Sequence, residues 1–201
     1  MKTYSLLPLA FVVLLLVAAK SSPAGYGVGD TVSNFRLKNF DGKMVALSDY
    51  KMEKGVILIF DCNTCPYSKA YNDRIISLNK TYAAKGFPVV TINSNDGPGD
   101  SFDDMVSRAT SRKYDFPYLL DEDQRVARAF GATNTPHVFV LHRRKDNFVV
   151  TYIGAIDNNP RNAAQADKRY VEEVVNALLA EKPVPVEKTK AVGCGIKWKD
   201  A

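Results

Sequence analysis

Apolar and polar positions divide the chain into short stretches of two different periods. Val56-Ile57-Leu58-Ile59-Phe60 is apolar at every position and predicts a strand buried on both faces. The period then changes: Pro66 opens a stretch in which Ala70, Tyr71, Ile75, Leu78 and Tyr82 share one helical face, predicting a helix over 66–85 with Gly86 at its C-cap. Residues 87–92 are apolar again, so strand, helix and strand imply a parallel pair joined by a right-handed crossover. Upstream, apolar alternation on both sides of Asp41-Gly42 predicts a β-hairpin. Downstream, Ser101 and the acids after it open a second helix, 116–120 reads as a short strand, and Val126, Ala127 and Phe130 mark a brief helix ended by Gly131. A strand after Pro136 pairs with one over 148–153 across a basic turn, and a last amphipathic helix over 165–181 stops at Lys182-Pro183.

The chemistry falls where the first strand ends. Cys62 and Cys65, separated by Asn63 and Thr64, lie at the strand-to-helix turn with Pro66 behind them. Unpaired amides and the macrodipole at a helix N-terminus favour a thiolate, the form that attacks disulfides or peroxides. A gap of two residues lets one sulfur close on the other. His137, one residue after Pro136, is a candidate third ligand if the two thiolates were to hold Cu(I).

Composition narrows the use of that pair. A chain of 201 residues with 46% hydrophobic and 24% charged residues builds one core. A formal charge of +5, dispersed except at His142-Arg143-Arg144-Lys145, is no nucleic-acid footprint. The basic start and apolar stretch from Leu6 to Ala19 predict a secretory signal over 1–24, and hence a periplasmic or secreted protein without stable membrane insertion after cleavage. One domain then occupies 25–182, and 183–201 forms an extended C-terminal arm bearing Cys194 between Gly193 and Gly195. Export makes a close pair of cysteines a disulfide unless a partner supplies electrons, and it leaves Cys194 as the odd thiol.

Several motifs, taken in order, carry a resemblance. Cys62-Asn63-Thr64-Cys65-Pro66-Tyr67, Ile92-Asn93-Ser94-Asn95-Asp96, Thr135-Pro136-His137, Gly154-Ala155-Ile156-Asp157 and Gly193-Cys194-Gly195-Ile196-Lys197-Trp198 are similar to AhpC/TSA-type redoxins of the thioredoxin superfamily, in a peroxiredoxin-like group that keeps CxxC. The resemblance implies an α/β thioredoxin-like fold: a central mixed β-sheet flanked by helices, with an N-terminal β-hairpin and an insertion before the cis-proline strand. It implies that the Thr135–Pro136 bond is cis and places backbone beside the cysteines to receive an extended substrate. It makes Cys62 the exposed attacking thiolate and Cys65 the resolving one.

The sequence departs from both parent patterns. Asp61 stands where thioredoxins place Trp, and its charge would oppose a thiolate at Cys62. Val56 stands where they keep a buried acid. The peroxiredoxin Thr and Pro are missing whichever cysteine is taken as peroxidatic: relative to Cys65 the positions hold Cys62 and Leu58. The leading expectation is therefore an exported thiol–disulfide oxidoreductase acting through a mixed disulfide on protein or small-molecule disulfides, with an electron-donating partner and no cofactor or metal. The alternatives are a thiol peroxidase with Cys194 as resolving cysteine, and a Cu(I)-binding redoxin using Cys62, Cys65 and His137.

Overall fold

The computed structural model describes residues 25–199; the expected signal over 1–24 lies outside the described residues. The first hairpin is formed by β1 (Arg36–Asn39) and β2 (Met44–Ala46), turned at Gly42 with φ 84°. The all-apolar run becomes β3 (Gly55–Phe60), buried at every residue. Next come α1 (Pro66–Tyr82), extended by a 3₁₀ turn to Lys85 and closed by Gly86 at φ 89°, and then β4 (Val89–Asn93). The segment before the cis-proline supplies α2 (Phe102–Ser111), β5 (Tyr118–Leu120) and α3 (Arg125–Phe130). It is followed by β6 (Asn134–Thr135), β7 (His137–Arg144), β8 (Asn147–Gly154), α4 (Tyr170–Leu179) and β9 (Cys194–Gly195).

Seven strands form one mixed sheet in the order β2-β1-β5-β4-β3-β7-β8. β3 runs parallel to β4 and antiparallel to β7, so the strand that delivers the cysteines is central. β5 is a sheet member, parallel to β4 and antiparallel to β1. Because side chains alternate along a strand, β3 serves two cores. Ile57 and Ile59 pack with α1, α2 and α4, whereas Val56, Leu58 and Phe60 pack with α3 and the Phe130–Phe139 pair. Val56, where a buried acid was sought, is an ordinary core residue of that second cluster.

The last helix is shorter than its pattern predicted. Residues 163–165 form a separate 3₁₀ turn capped by Asn162, and α4 starts only at Tyr170. Beyond α4 the arm is tied down twice. Thr189 bonds the Tyr152 hydroxyl (2.6 Å) and the Ala155 amide (3.0 Å) at the edge of β8. Farther on, β9 pairs antiparallel with β6, Thr135 opposite Cys194 and Asn134 opposite Gly195. No helix among the described residues is long and apolar enough to cross a membrane.

Candidate active site

β3 ends by handing the chain to a turn whose last residue, Cys65, is the N-cap of α1, with Pro66 as the first helical residue. Pro suits that position, since its missing amide hydrogen has no partner there in any case. Cys62 lies three residues upstream at the mouth of the sheet. Thr135 closes the site from the other side: its hydroxyl is 3.1 Å from the Cys62 sulfur and its carbonyl 3.2 Å from the Cys65 sulfur. The Thr135–Pro136 bond is cis. β9 then sets Cys194 opposite Thr135, so that its thiol and its amide both face the Cys65 sulfur. All three cysteines are free thiols. Cys62, Cys65, Thr135 and Cys194, separated by up to 132 positions, thus share one site, with Pro136 adjoining it.

His137 does not join them. Its ring packs 4.8 Å from Phe139, its Nδ1 accepts from the Thr133 amide at 3.3 Å, and burial pushes its pKa down to about 4. Among the described residues no group of three His, Cys, Asp or Glu side chains is placed to hold a metal. The expectation of a Cu(I) site on Cys62, Cys65 and His137 is corrected accordingly: the imidazole is committed to the core beside β7.

The expectation of an exposed attacking thiol at Cys62 is also corrected. Cys62 is 0% exposed and Cys65 3%. Hydrogen bonding to Cys65, then burial and the charge of Asp61, hold the Cys62 thiol far above its ordinary range. Cys65 is held well below its own. It receives the Cys62 thiol first, and then the Cys194 thiol and the amides of Ser68 and Cys194, and together these outweigh burial. When protonated, Cys65 donates to the Thr135 carbonyl instead. The helix N-terminus therefore acts on the cysteine that caps it, three residues later than the first of the pair.

Three features that the sequence analysis did not find hold this geometry. Asp61 is buried and paired with Arg108 of α2 at 2.9 Å, and a second guanidinium nitrogen of Arg108 donates to the Cys62 carbonyl. Burial raises the Asp61 carboxyl and Arg108 draws it back. Asp100 grips the turn itself, accepting from the Asn63 amide (2.7 Å) and the Thr64 hydroxyl (2.7 Å). Ser68, fully buried, sets its hydroxyl 3.8 Å from the Cys62 sulfur. Ser68 had a readable signal, since it lies one helical turn past Cys65. Arg108 had none, since 47 residues separate it from Asp61.

A cysteine pair at the end of a central strand, capping a helix and facing a cis-proline across this sheet order, defines a thioredoxin-fold protein. The chain belongs to the AhpC/TSA family, whose model matches residues 28–158. Over 114 residues it is 29% identical to the thiol-disulfide oxidoreductase ResA of Bacillus subtilis, a match covering 57% of this chain and 61% of that protein. It is also similar to the crystal structure of an uncharacterized conserved protein from Geobacillus kaustophilus (36% identity, TM-score 0.81, 87% of this chain and 94% of that one). A hypothetical protein from Sinorhizobium meliloti is similar over much the same span (29% identity, TM-score 0.80, 88% of this chain and 97% of that one).

Proposed function

We propose that the protein is a thiol–disulfide oxidoreductase in which Cys65 is the attacking thiol and Cys62 the resolving one. The observation that carries this reading is the Cys65 sulfur at the N-cap of α1, with Thr135 3.1 Å from the Cys62 sulfur and 3.2 Å from the Cys65 sulfur. The Cys65 thiolate attacks one sulfur of a substrate disulfide, a mixed disulfide forms, and the other substrate sulfur leaves as a thiolate and takes up a proton. Cys62 then loses its proton and attacks Cys65. The Cys62–Cys65 bond forms, the mixed disulfide breaks, and the substrate departs carrying two electrons. A dithiol partner restores the pair. Thr135, touching both sulfurs, holds them on one side of the turn. The resemblance to ResA supports the same reaction type.

A peroxidase fits the site less well, because the position three residues before Cys65 holds a thiol, Cys62, and no hydroxyl donor for a bound peroxide. Insulin reduction by dithiothreitol tests the proposal: the protein accelerates it, Cys65→Ser abolishes the acceleration, and the double variant Cys62→Ser, Cys194→Ser accumulates a mixed disulfide at Cys65. An inert protein in that assay that consumes hydrogen peroxide stoichiometrically would overturn it. The apolar start from Leu6 to Ala19 supports action outside the cytoplasm, periplasmic or secreted. Recovery of full-length protein in the cytosolic fraction would count against export alone.

A further inference from the structure

The proposed reaction leaves a problem of access. Exchange requires an incoming sulfur to approach the attacked sulfur in line with the bond that breaks. With β9 in place, neither member of the pair offers that approach from solvent, because Cys62 is closed in by Thr135 and Ser68 and Cys65 lies under β9. β9 is anchored rather than loosely laid down. The Ile196 amide donates to the Thr133 carbonyl (3.0 Å), and its side chain is buried in the core cluster of β3 and α3. The Lys197 amide donates to Asn95 (3.0 Å), and the Lys197 carbonyl accepts from the Asp96 amide (3.1 Å) and the Gln124 side chain (2.8 Å). On the other flank Gly193 lies so close to the Thr135 carbonyl that a Cβ there would collide with it. This fit sets Cys194 opposite Thr135, whose carbonyl lies 3.2 Å from the Cys65 sulfur. Unlike the pair, Cys194 is half-buried, and Gly195 beside it is exposed with open space above its Cα.

We propose that Cys194 is the thiol through which the buried pair exchanges with its electron-donating partner, forming a Cys65–Cys194 disulfide as an intermediate. The inference rests on the oxidoreductase reading and adds a third participating cysteine to it. After substrate reduction the chain holds the Cys62–Cys65 disulfide. The Cys194 thiolate attacks Cys65; the Cys65–Cys194 bond forms, the Cys62–Cys65 bond breaks, and Cys62 leaves as a thiolate and takes the proton that Cys194 gave up. The oxidation level is unchanged, so no external oxidant is needed. A dithiol protein then attacks the half-exposed Cys194, displacing Cys65. The better leaving group is the sulfur that better carries negative charge, and here it is Cys65. The partner's second thiol frees Cys194, leaving three thiols here and a disulfide on the partner. The strand that covers the site is in this way also its outlet.

Disulfide mapping by peptide mass after oxidation with oxidised dithiothreitol and acid quenching tests the inference, with reduced thioredoxin and dithiothreitol as protein and small-molecule reductants. The expected result is a Cys65–Cys194 bond within one chain in Cys62→Ser. In Cys194→Ser and Cys194→Ala, a Cys62–Cys65 bond still forms but is reduced by thioredoxin about tenfold or more slowly than in the unaltered protein, with a smaller change for dithiothreitol. If the Cys62–Cys65 bond forms in the unaltered protein but Cys62→Ser yields no Cys65–Cys194 bond, or if the Cys194 variants are reduced by thioredoxin at the unaltered rate, the inference is overturned and the oxidoreductase reading stands. If no Cys62–Cys65 bond ever forms, the oxidoreductase reading itself fails.

Discussion

Cys65 sits between two regions of opposite construction. On one side the Cys62 turn is backed by interior groups: Asp61 is fully buried against Arg108, Arg108 lies 5.7 Å from the ring centre of Tyr118, and the Tyr118 hydroxyl donates to Asn63 at 2.9 Å. On the other side stands a two-residue strand with one exposed member, held by a handful of backbone bonds. The first region is expensive to disturb and fixes how acidic each sulfur is. The second covers the pair and fixes what reaches them. A buried thiol pair able to exchange with outside partners needs both, since a site sealed on every side could not turn over and one open on every side would lose control of its protonation.

The largest effect expected is on chemistry. Cys65→Ser should lower disulfide-reductase turnover by about a thousandfold or more, because the group that forms the covalent intermediate is gone. Cys194→Ser should cost only the partner-dependent step. Equal losses in steady-state insulin assays driven by a small dithiol would erase the distinction between the two regions.

Next comes stability on the interior side. Arg108→Met leaves the Asp61 carboxylate buried without its partner, and removing one member of a buried pair costs about 3–5 kcal/mol. Urea denaturation should show that loss in Arg108→Met, a similar one in Asp61→Asn, and less than their sum in the double variant. Asp61→Asn also removes a charge that holds the Cys62 thiol up, so the Cys62 titration should move down. Additive losses would mean that the pair is incidental to the turn.

On the arm side the corresponding lesion is steric. Gly193→Ala inserts a Cβ against the Thr135 carbonyl, and overpacking of one such group costs about 1–3 kcal/mol. Locally the strain is relieved if β9, only two residues long, lifts while the core stays folded. The expected outcome is a small fall in global stability together with faster alkylation of Cys65 by iodoacetamide. A large fall with unchanged alkylation would show that β9 belongs to the cooperative core.

Acidity separates the regions further. Burial, followed by the Cys65 thiol and the Cys65 charge, pushes the Cys194 thiol up, while the Tyr67 amide and Lys197 pull it back to a net position above its ordinary value. Cys65 lies below its own. Attack requires the thiolate, so alkylation of Cys65 should already be on its plateau at neutral pH, whereas that of Cys194 should climb by about tenfold per pH unit across the neutral and mildly alkaline range. The reverse order, read by mass spectrometry of alkylated peptides, would exchange the roles of the two sulfurs.

How much of this was legible in the sequence follows the same division. The elements that build the sheet announce themselves: β3 is a continuous apolar run, α1 changes the period within six residues, and Gly86 closes the helix at positive φ as its position implied. Local pattern determined them, so local pattern found them. The AhpC/TSA resemblance and its thioredoxin-like fold likewise rested on short motifs in order. The acidity of the cysteines was not local. The resemblance placed the attacking thiolate on Cys62, although a helix starting at Pro66, as its pattern predicted, gives the capping position to Cys65. Asp61 was weighed as a bare charge, since nothing in α2 marks Arg108 as its partner. The arm carries no period because β9 is only two residues long, and its order comes from pairing with a strand 59 positions earlier. Nothing in the sequence marks Gly193 as a point of close approach to the Thr135 carbonyl.

The smallest effect expected lies where the two regions touch. Lys197 leaves the arm with its ammonium 3.2 Å from the Thr64 hydroxyl and 3.6 Å from the buried carboxylate of Asp100, the group that also grips the Asn63 amide. The Lys197 side chain is 49% exposed, so its attraction to Asp100 is screened by solvent and is worth about 0.2–1 kcal/mol. Lys197→Ala should therefore leave the melting temperature nearly unchanged and raise the alkylation rate of Cys65 only slightly, because the Lys197 backbone bonds to Asn95, Asp96 and Gln124 remain. Salt provides the sharper check. At about 1 M the screening length falls to about 3 Å, so the unaltered protein should then alkylate at the rate of the variant, while the variant itself should barely respond. A variant as salt-sensitive as the unaltered chain would mean that the arm is held by backbone pairing and packing alone, with no electrostatic link between the turn that carries the cysteine pair and the strand that covers it.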